Sequence, residues 1–293
     1  MQLNEINIRD PFVLVHGGAH YLYGTRGATC WGPADGFDVY VSRDLADWDG
    51  PIECFHNDGT FWADRNYWAP EVYARPDGFY MFASFKSADR RRGTAILRAD
   101  APEGPFRPWS QGCVTPPDWE CLDGTLHVAR NGTPYMVFCH EWVQAGDGEI
   151  CAMPLTADLR AASGDARVLF RASDAAWSKM IRHSSGVEGC VTDGPFLWRT
   201  ADGQLLCLWA GISEEGYTQG LAISDNGEID GCFRQLPPLF RDDGGHGMLF
   251  RALDGQLYLT LHSPNVHLQE RPVFIPVEEG SGLRPVQAVS GEA

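Results

Sequence analysis

A short apolar run recurs five times along the chain, at Tyr21-Leu22-Tyr23, Tyr80-Met81-Phe82, Tyr135-Met136-Val137-Phe138, Leu205-Leu206-Cys207-Leu208-Trp209 and Leu257-Tyr258-Leu259. Four of the five follow a turn signal, Pro76-Asp77-Gly78, Asn131-Gly132, Asp202-Gly203 or Asp254-Gly255, and the first follows Gly17-Gly18, so each reads as the second strand of a hairpin. The hairpins' first strands then open at Arg9-Asp10-Pro11-Phe12, Trp68-Ala69-Pro70-Glu71-Val72, Leu122-Asp123-Gly124-Thr125, Thr192-Asp193-Gly194-Pro195-Phe196 and Gly245-His246-Gly247-Met248. A third strand follows each hairpin, at residues 37–42, 94–98, 149–155, 219–224 and 271–277. Five units of about 50 to 70 residues, each of three or four antiparallel strands, predict an all-β chain folded as a single-domain five-bladed β-propeller. The expected blades are residues 5–50, 66–110, 121–165, 190–240 and 244–278 of one catalytic domain over 1–293, with the polar tail after Glu278 a short closing or frayed segment. A β-sandwich has similar strand spacing but leaves the common register of the five polar anchors unexplained.

Composition agrees with many short strands joined by tight turns: 33 glycines, 19 prolines and 12% aromatic residues. No stretch approaches the roughly 18 consecutive apolar residues of a membrane helix, and Met1 to Asp10 carries neither a basic start nor an apolar run. Nine cysteines form an odd set without a C-x-x-C pair, and several lie inside apolar runs. Reduced, buried thiols and a cytoplasmic location are expected. A formal charge of −16 argues against nucleic acid or an anionic membrane as partner and permits a neutral sugar.

In a propeller the first strand of every blade lines the central channel, so the anchors converge at one mouth. Three carry aspartate (Asp10, Asp123, Asp193), one carries Glu71 and one carries His246. Glycosidic hydrolysis needs one protonated carboxyl to release the leaving oxygen and one ionised carboxylate to activate water or attack carbon; a third carboxylate nearby raises the acid's pKa. Taken singly, Asp-Gly and Asp-Pro pairs are ordinary turn elements; their shared register is what favours chemistry. Glu71 reads as structural or supporting, beside the rigid Trp68-Ala69-Pro70. His140 and Glu141 divide between blade links and substrate contacts, and Glu188 overhangs the channel as an alternative acid. Trp31, Trp62, Trp68 and Trp142 are stacking candidates, with Trp68 preferred because it lies in an anchor, and Arg271 is expected to reach back to sugar hydroxyls. One imidazole with ordered waters, at His246, could hold a hard cation such as Ca²⁺ on the axis; the chemistry itself calls for no cofactor.

With these residues in this order, the chain resembles glycoside hydrolase family 43, on Arg9-Asp10-Pro11-Phe12, Tyr67-Trp68-Ala69-Pro70-Glu71-Val72, Asp123-Gly124-Thr125-Leu126, Asp193-Gly194-Pro195-Phe196-Leu197 and Gly245-His246-Gly247. The resemblance spans about residues 5 to 277. It implies a five-bladed propeller cleaving arabinofuranosides, xylosides and related linkages with inversion, with Asp10 as general base, Asp123 tuning the acid's pKa and orienting substrate, and His246 on a central metal. The family's fourth-blade acid is normally glutamate, whereas this chain has Asp193. Either the pocket is closer there, or Glu188 or Glu141 substitutes, or the activity has changed. The expected function is an inverting, exo-acting glycosidase of the arabinofuranosidase or β-xylosidase kind acting on small oligosaccharides. The alternative is a non-catalytic carbohydrate-binding or scaffolding propeller. Phosphorolysis would need a cationic pocket that no anchor offers.

Overall fold

The structure is a computed structural model, described here over residues 1–279 and 282–286. Five four-stranded antiparallel sheets follow one another along the chain. Blade 1 holds β1 (Ile8–His16), β2 (Ala19–Arg26), β3 (Gly36–Ser42) and β4 (Asp49–His56). Blade 2 holds β5 (Arg65–Arg75), β6 (Gly78–Lys86), β7 (Gly93–Ala99) and β8 (Arg107–Cys113). Blade 3 holds β9 (Cys121–Val128), β10 (Pro134–His140), β11 (Glu149–Pro154) and β12 (Arg167–Arg171), with one helical turn, α1 (Trp142–Ala145), between β10 and β11. A small hairpin of β13 (Met180–Arg182) and β14 (Glu188–Cys190) precedes blade 4, which holds β15 (Asp193–Arg199), β16 (Leu205–Ser213), β17 (Gly216–Ser224) and β18 (Phe233–Phe240). Blade 5 holds β19 (Gly245–Arg251), β20 (Leu257–Ser263), β21 (Arg271–Glu279) and β22 (Leu283–Pro285). The chain is a single-domain five-bladed β-propeller.

Second strands are the most apolar because a neighbouring blade covers each face: β6 and β16 are buried along almost their whole length. Outer strands differ from the expected boundaries. β4, β12 and β22 lie wholly or mainly beyond residues 50, 165 and 278, and β4 is exposed over six of its eight residues. β4 and β22 carry no apolar run for a sequence reading to find, and the short one of β12, Val168-Leu169-Phe170, lies between two arginines. The tail contributes Leu283–Pro285 as the outer strand of blade 5, paired to Val277–Glu279; residues 280–281 and 287–293 lie outside the described part.

Every innermost strand bends at the same point. One extra residue is inserted between Arg9 and Phe12, between Trp68 and Glu71, between Leu122 and Thr125, between Asp193 and Phe196, and between Gly245 and Met248. At each bulge the first inserted residue is left-handed: Asp10 (φ 54°), Ala69 (46°), Asp123 (58°), Gly194 (49°) and His246 (53°). The next residue is proline or glycine in all five, because the bulge takes its N–H out of the ladder. Where it is glycine a buried side chain receives that N–H, Thr94 Oγ1 for Gly124 (3.1 Å) and Gln219 Oε1 for Gly247 (2.7 Å).

Among the described residues the ring closes without an exchanged strand, since the blades are built from successive strands of the chain. The seam between blades 5 and 1 is held by side chains instead. Asn7 Nδ2 donates to the Glu270 carbonyl (2.9 Å), and Arg9 pairs with the fully buried Glu270 carboxylate (2.6 Å). Arg271 belongs here and not to the cleft: its guanidinium donates to the carbonyls of Asn4 (2.8 Å), Glu270 (2.8 Å) and Leu268 (3.2 Å). Arg271, expected to reach toward sugar hydroxyls, lies outside the cleft and gives three of its donors to backbone oxygens of the seam.

Candidate active site

At one end of the channel the bulges open into a cleft of about 600 Å³. Asp10, Asp123, Asp193, Trp68, Glu141 and His246 all line it, while Arg271, Glu188 and Glu71 do not. The bulge geometry is what gathers them, because a left-handed residue turns its side chain out of the strand's alternation and toward the axis. Asp193 departs from the register expected of it: Gly194 occupies the left-handed position and Asp193 the one before. A Cβ at Gly194 would lie 2.5 Å from Cδ2 of the His246 ring, so only glycine fits the bulge beside that imidazole, and the carboxyl comes from the preceding residue.

Neighbouring blades tie the floor together. The bulge N–H of Asp10 donates to His262 Nδ1 (3.1 Å), that of Ala69 to Thr25 Oγ1 (2.8 Å), that of Asp123 to Ser84 Oγ (2.8 Å), and that of Gly194 to Asp123 Oδ2 (3.0 Å). Thr25 Oγ1 also donates to Asp10 Oδ2 (2.6 Å). His246 Nδ1 lies 3.2 Å from Asp10 Oδ1 and 3.6 Å from Asp123 Oδ2, sharing one imidazole between two carboxyls.

Burial works to raise the Asp10 carboxyl, yet the His246 ring, the Arg9 guanidinium, the His262 ring and the Thr25 bond together hold it below the usual carboxylate range. Asp123 moves the other way: burial first, then the charge of Asp10, push it up to about 8. Burial and the Asp123 carboxyl push Asp193 up to about 7, against the His246 ring and the Tyr217 hydroxyl, which donates to Asp193 Oδ2 at 3.1 Å. His262, buried completely, is pushed down to about 3 by that burial, so its neutral ring can accept from the Asp10 N–H. One ionised carboxylate and two protonated carboxyls are thus held in one cleft just below neutral pH.

The walls are aromatic and basic. Arg92 pairs with Glu141 and lies 4.1 Å over the Trp68 ring, whose edge partner is Trp31 at 5.6 Å. One face of Trp68 is therefore covered by guanidinium, whereas Trp31 is 59% exposed at the rim. Arg9 spans from Glu270 to Asn265 Oδ1 (2.8 Å) and lies 5.2 Å over Trp31. His140 turns out to be a blade link, bonded to Glu149 (2.9 Å) and Gln144 (3.0 Å) and stacked on Trp119. Glu188 is exposed at the β13–β14 hairpin, 3.9 Å from Arg182. Glu71 sits behind the floor, bonded to Tyr73 and pushed up to about 7 by burial. Arg9, Arg92, Tyr217 and His262 were not singled out by sequence reasoning; only Arg9, inside the first anchor, carried a signal.

The sequence model of glycosyl hydrolases family 43 matches residues 4–278. The chain belongs to glycoside hydrolase family 43. An endo-arabinase from Bacteroides thetaiotaomicron is 39% identical, covers 96% of this chain and 98% of its own, and superposes with a TM-score of 0.90. A thermostable family-43 glycoside hydrolase, 21% identical, covers 98% and 95% with a TM-score of 0.82. An α-L-arabinofuranosidase from Lactobacillus brevis, 15% identical, covers 98% of each chain with a TM-score of 0.73, and both of these likenesses speak to the fold alone. No curated protein matches the chain. As a family 43 glycoside hydrolase, the protein acts on carbohydrate.

Proposed function

We propose that this hydrolase cleaves arabinofuranosyl or xylosyl linkages of small oligosaccharides with inversion, using Asp10 as general base, Asp193 as general acid and Asp123 as the group that tunes and orients. The observation that carries the reading is the divergence of protonation states among three carboxyls in one cleft: Asp10 held low, Asp193 and Asp123 pushed up to about 7 and about 8. A sugar-binding surface has no use for that divergence, which disfavours the non-catalytic alternative.

In a single displacement, the Asp193 proton passes to the glycosidic oxygen as the bond from the anomeric carbon to that oxygen breaks, and the bonding pair leaves with the alcohol. A water attacks the anomeric carbon from the opposite face and gives its proton to Asp10. Asp123, bonded through Oδ2 to the Gly194 N–H, fixes the residue next to the acid. Trp31, Trp68, Arg9 and the Arg92–Glu141 pair form the wall for the sugar.

A calcium ion on the axis is part of the proposal. With His246 Nδ1 facing the Asp10 carboxylate, Nε2 is the ring atom that would meet the ion. Among the described residues no group of three or more His, Cys, Asp or Glu side chains is placed to hold a metal ion, so His246 and water would hold it. The ion would supply positive charge beneath the carboxyls. If it binds there, chelation lowers the melting temperature and added Ca²⁺ restores it; a melting temperature indifferent to both removes the ion. We also place the protein in the cytoplasm, which its nine unpaired cysteines support; among the described residues no helix is long and apolar enough to cross a membrane.

The substrate and mode are tested by incubating the enzyme with linear arabino-oligosaccharides, xylo-oligosaccharides and the matching aryl glycosides. Release of monosaccharide from chain ends supports the exo-acting reading. A second reading, internal cleavage, is favoured by the endo-arabinase description of the 39%-identical structure, and early oligosaccharide products would support it. Asp10→Asn should lower turnover at least about 100-fold on any active substrate. No hydrolysis of either class, or full activity in that variant, overturns the proposal.

A further inference from the structure

The Asp193 side chain is one methylene shorter than glutamate, and the structure contains a device that fits it to its task. Tyr217, the second residue of β17, is buried and donates its hydroxyl to Asp193 Oδ2 at 3.1 Å. The ring is fixed from two sides. It stacks on His262, with centroids 5.4 Å apart and planes 28° from parallel. It also lies against the bare face of Gly245, where a Cβ would come within 2.9 Å of Tyr217 Cε1. His262 is itself held by the Asp10 N–H at Nδ1 and by Asn265 Oδ1 at Nε2 (3.3 Å). Base and acid are therefore joined through one rigid path: Asp10 backbone, His262 ring, Tyr217 ring, Asp193 carboxyl.

We propose that Tyr217 is the positioning residue that makes an aspartate competent as the general acid, holding Oδ2 so that the other carboxyl oxygen carries the proton to the leaving group. The inference rests on Asp193 being that acid. Before transfer the hydroxyl donates to a carbonyl-like oxygen; afterwards it donates to a carboxylate, where the bond is stronger. Tyr217 therefore stabilises the product of proton transfer more than its reactant, and it acts only through Asp193. The bond also opposes the upward displacement of the Asp193 carboxyl, so its loss has a definite sign.

The test compares wild type, Tyr217→Phe, Asp193→Asn and the double variant on two substrates of the same sugar, one with an alkyl alcohol and one with dinitrophenol as leaving group. Asp193→Asn settles the reading beneath the inference: a loss confined mainly to the alkyl glycoside identifies Asp193 as acid, and equal losses on both remove it together with the reading. With that established, Tyr217→Phe should lower kcat on the alkyl glycoside by about 10-fold to 100-fold, spare the dinitrophenyl glycoside, leave KM nearly constant and move the alkaline limb of kcat/KM to higher pH. In the Asp193→Asn background the same substitution should have little further effect. A Tyr217→Phe enzyme with an unmoved alkaline limb, or with equal losses on the two substrates and in the two backgrounds, overturns the inference. Should that variant not fold, Gly245→Ala, which pushes the ring aside without touching the hydroxyl, is read by the same limb and the same substrate pair, with the same two outcomes.

Discussion

Asp10, Asp123 and Asp193 are the same side chain in three environments, and their neighbours separate them. Asp10 faces His246 at 3.2 Å, lies beside Arg9 and accepts from Thr25, whereas Asp123 is raised by burial and the charge of Asp10, and Asp193 by burial and the charge of Asp123. The pH dependence follows with a definite sign. The base must be ionised, and Asp10 is held below the usual carboxylate range; the acid must be protonated, and Asp193 loses its proton at about 7. On the proposed mechanism kcat/KM therefore falls about tenfold per pH unit above roughly 7. A pH profile on the free enzyme checks this, and an activity still rising between pH 7 and 9 would refute the assignment. The aspartates and His246 were legible in the sequence because the repeat put them at corresponding places. Tyr217 and His262 were not, since each sits inside or beside a strand run that reads as core, and only the fold shows which polar atom each one meets, within blade 4 for Tyr217 and across blades for His262.

At the scale of the element, the working unit is the bulge at the head of each inner strand. Its sequence mark, a residue followed by proline or glycine, was visible in all five anchors, but its exact phase was not. Asp193-Gly194-Pro195 looks like Asp10-Pro11 and Asp123-Gly124, yet the left-handed residue is the glycine. The reason is local: the His246 ring fills the space a Cβ at Gly194 would need. Gly194→Ala should therefore cost at least the 1–2 kcal/mol of a left-handed L-residue and displace His246 from Asp10 and Asp123. Thermal unfolding with steady-state kinetics checks it: a lower melting temperature and a lost kcat are expected, and a variant equal to wild type in both would show the bulge to be unimportant. Inner and second strands were legible from apolar runs. The outer strands β4, β12 and β22 and the β13–β14 hairpin were not, because most of their residues face solvent and their pairing depends on the blade already being present.

For the whole molecule, five blades on a ring explain how carboxyls more than a hundred residues apart in sequence meet at one mouth, and the count of five came directly from the repeat. Closure of the ring did not. With no exchanged strand among the described residues, the seam of blades 5 and 1 rests on Asn7, Arg9, Glu270 and Arg271, whose partners are backbone carbonyls and one buried carboxylate that no motif marks. Arg271→Ala removes donors to three carbonyls there and should lower stability by about 1–2 kcal/mol while leaving kcat and KM close to wild type. Calorimetry and kinetics on one preparation distinguish the cases: a raised KM with an unchanged melting temperature would return Arg271 to the substrate.

The central claim is a single displacement, in which water activated by Asp10 attacks as Asp193 releases the leaving group. Proton NMR of the sugar as it is first formed, before mutarotation, reads that step directly on whichever glycoside proves active. The account predicts the anomer opposite to that of the substrate, because a base and an acid about 6.5–9.5 Å apart leave room for the water. A first-formed product that keeps the substrate's configuration would mean a covalent intermediate, and would contradict the roles given to Asp10 and Asp193.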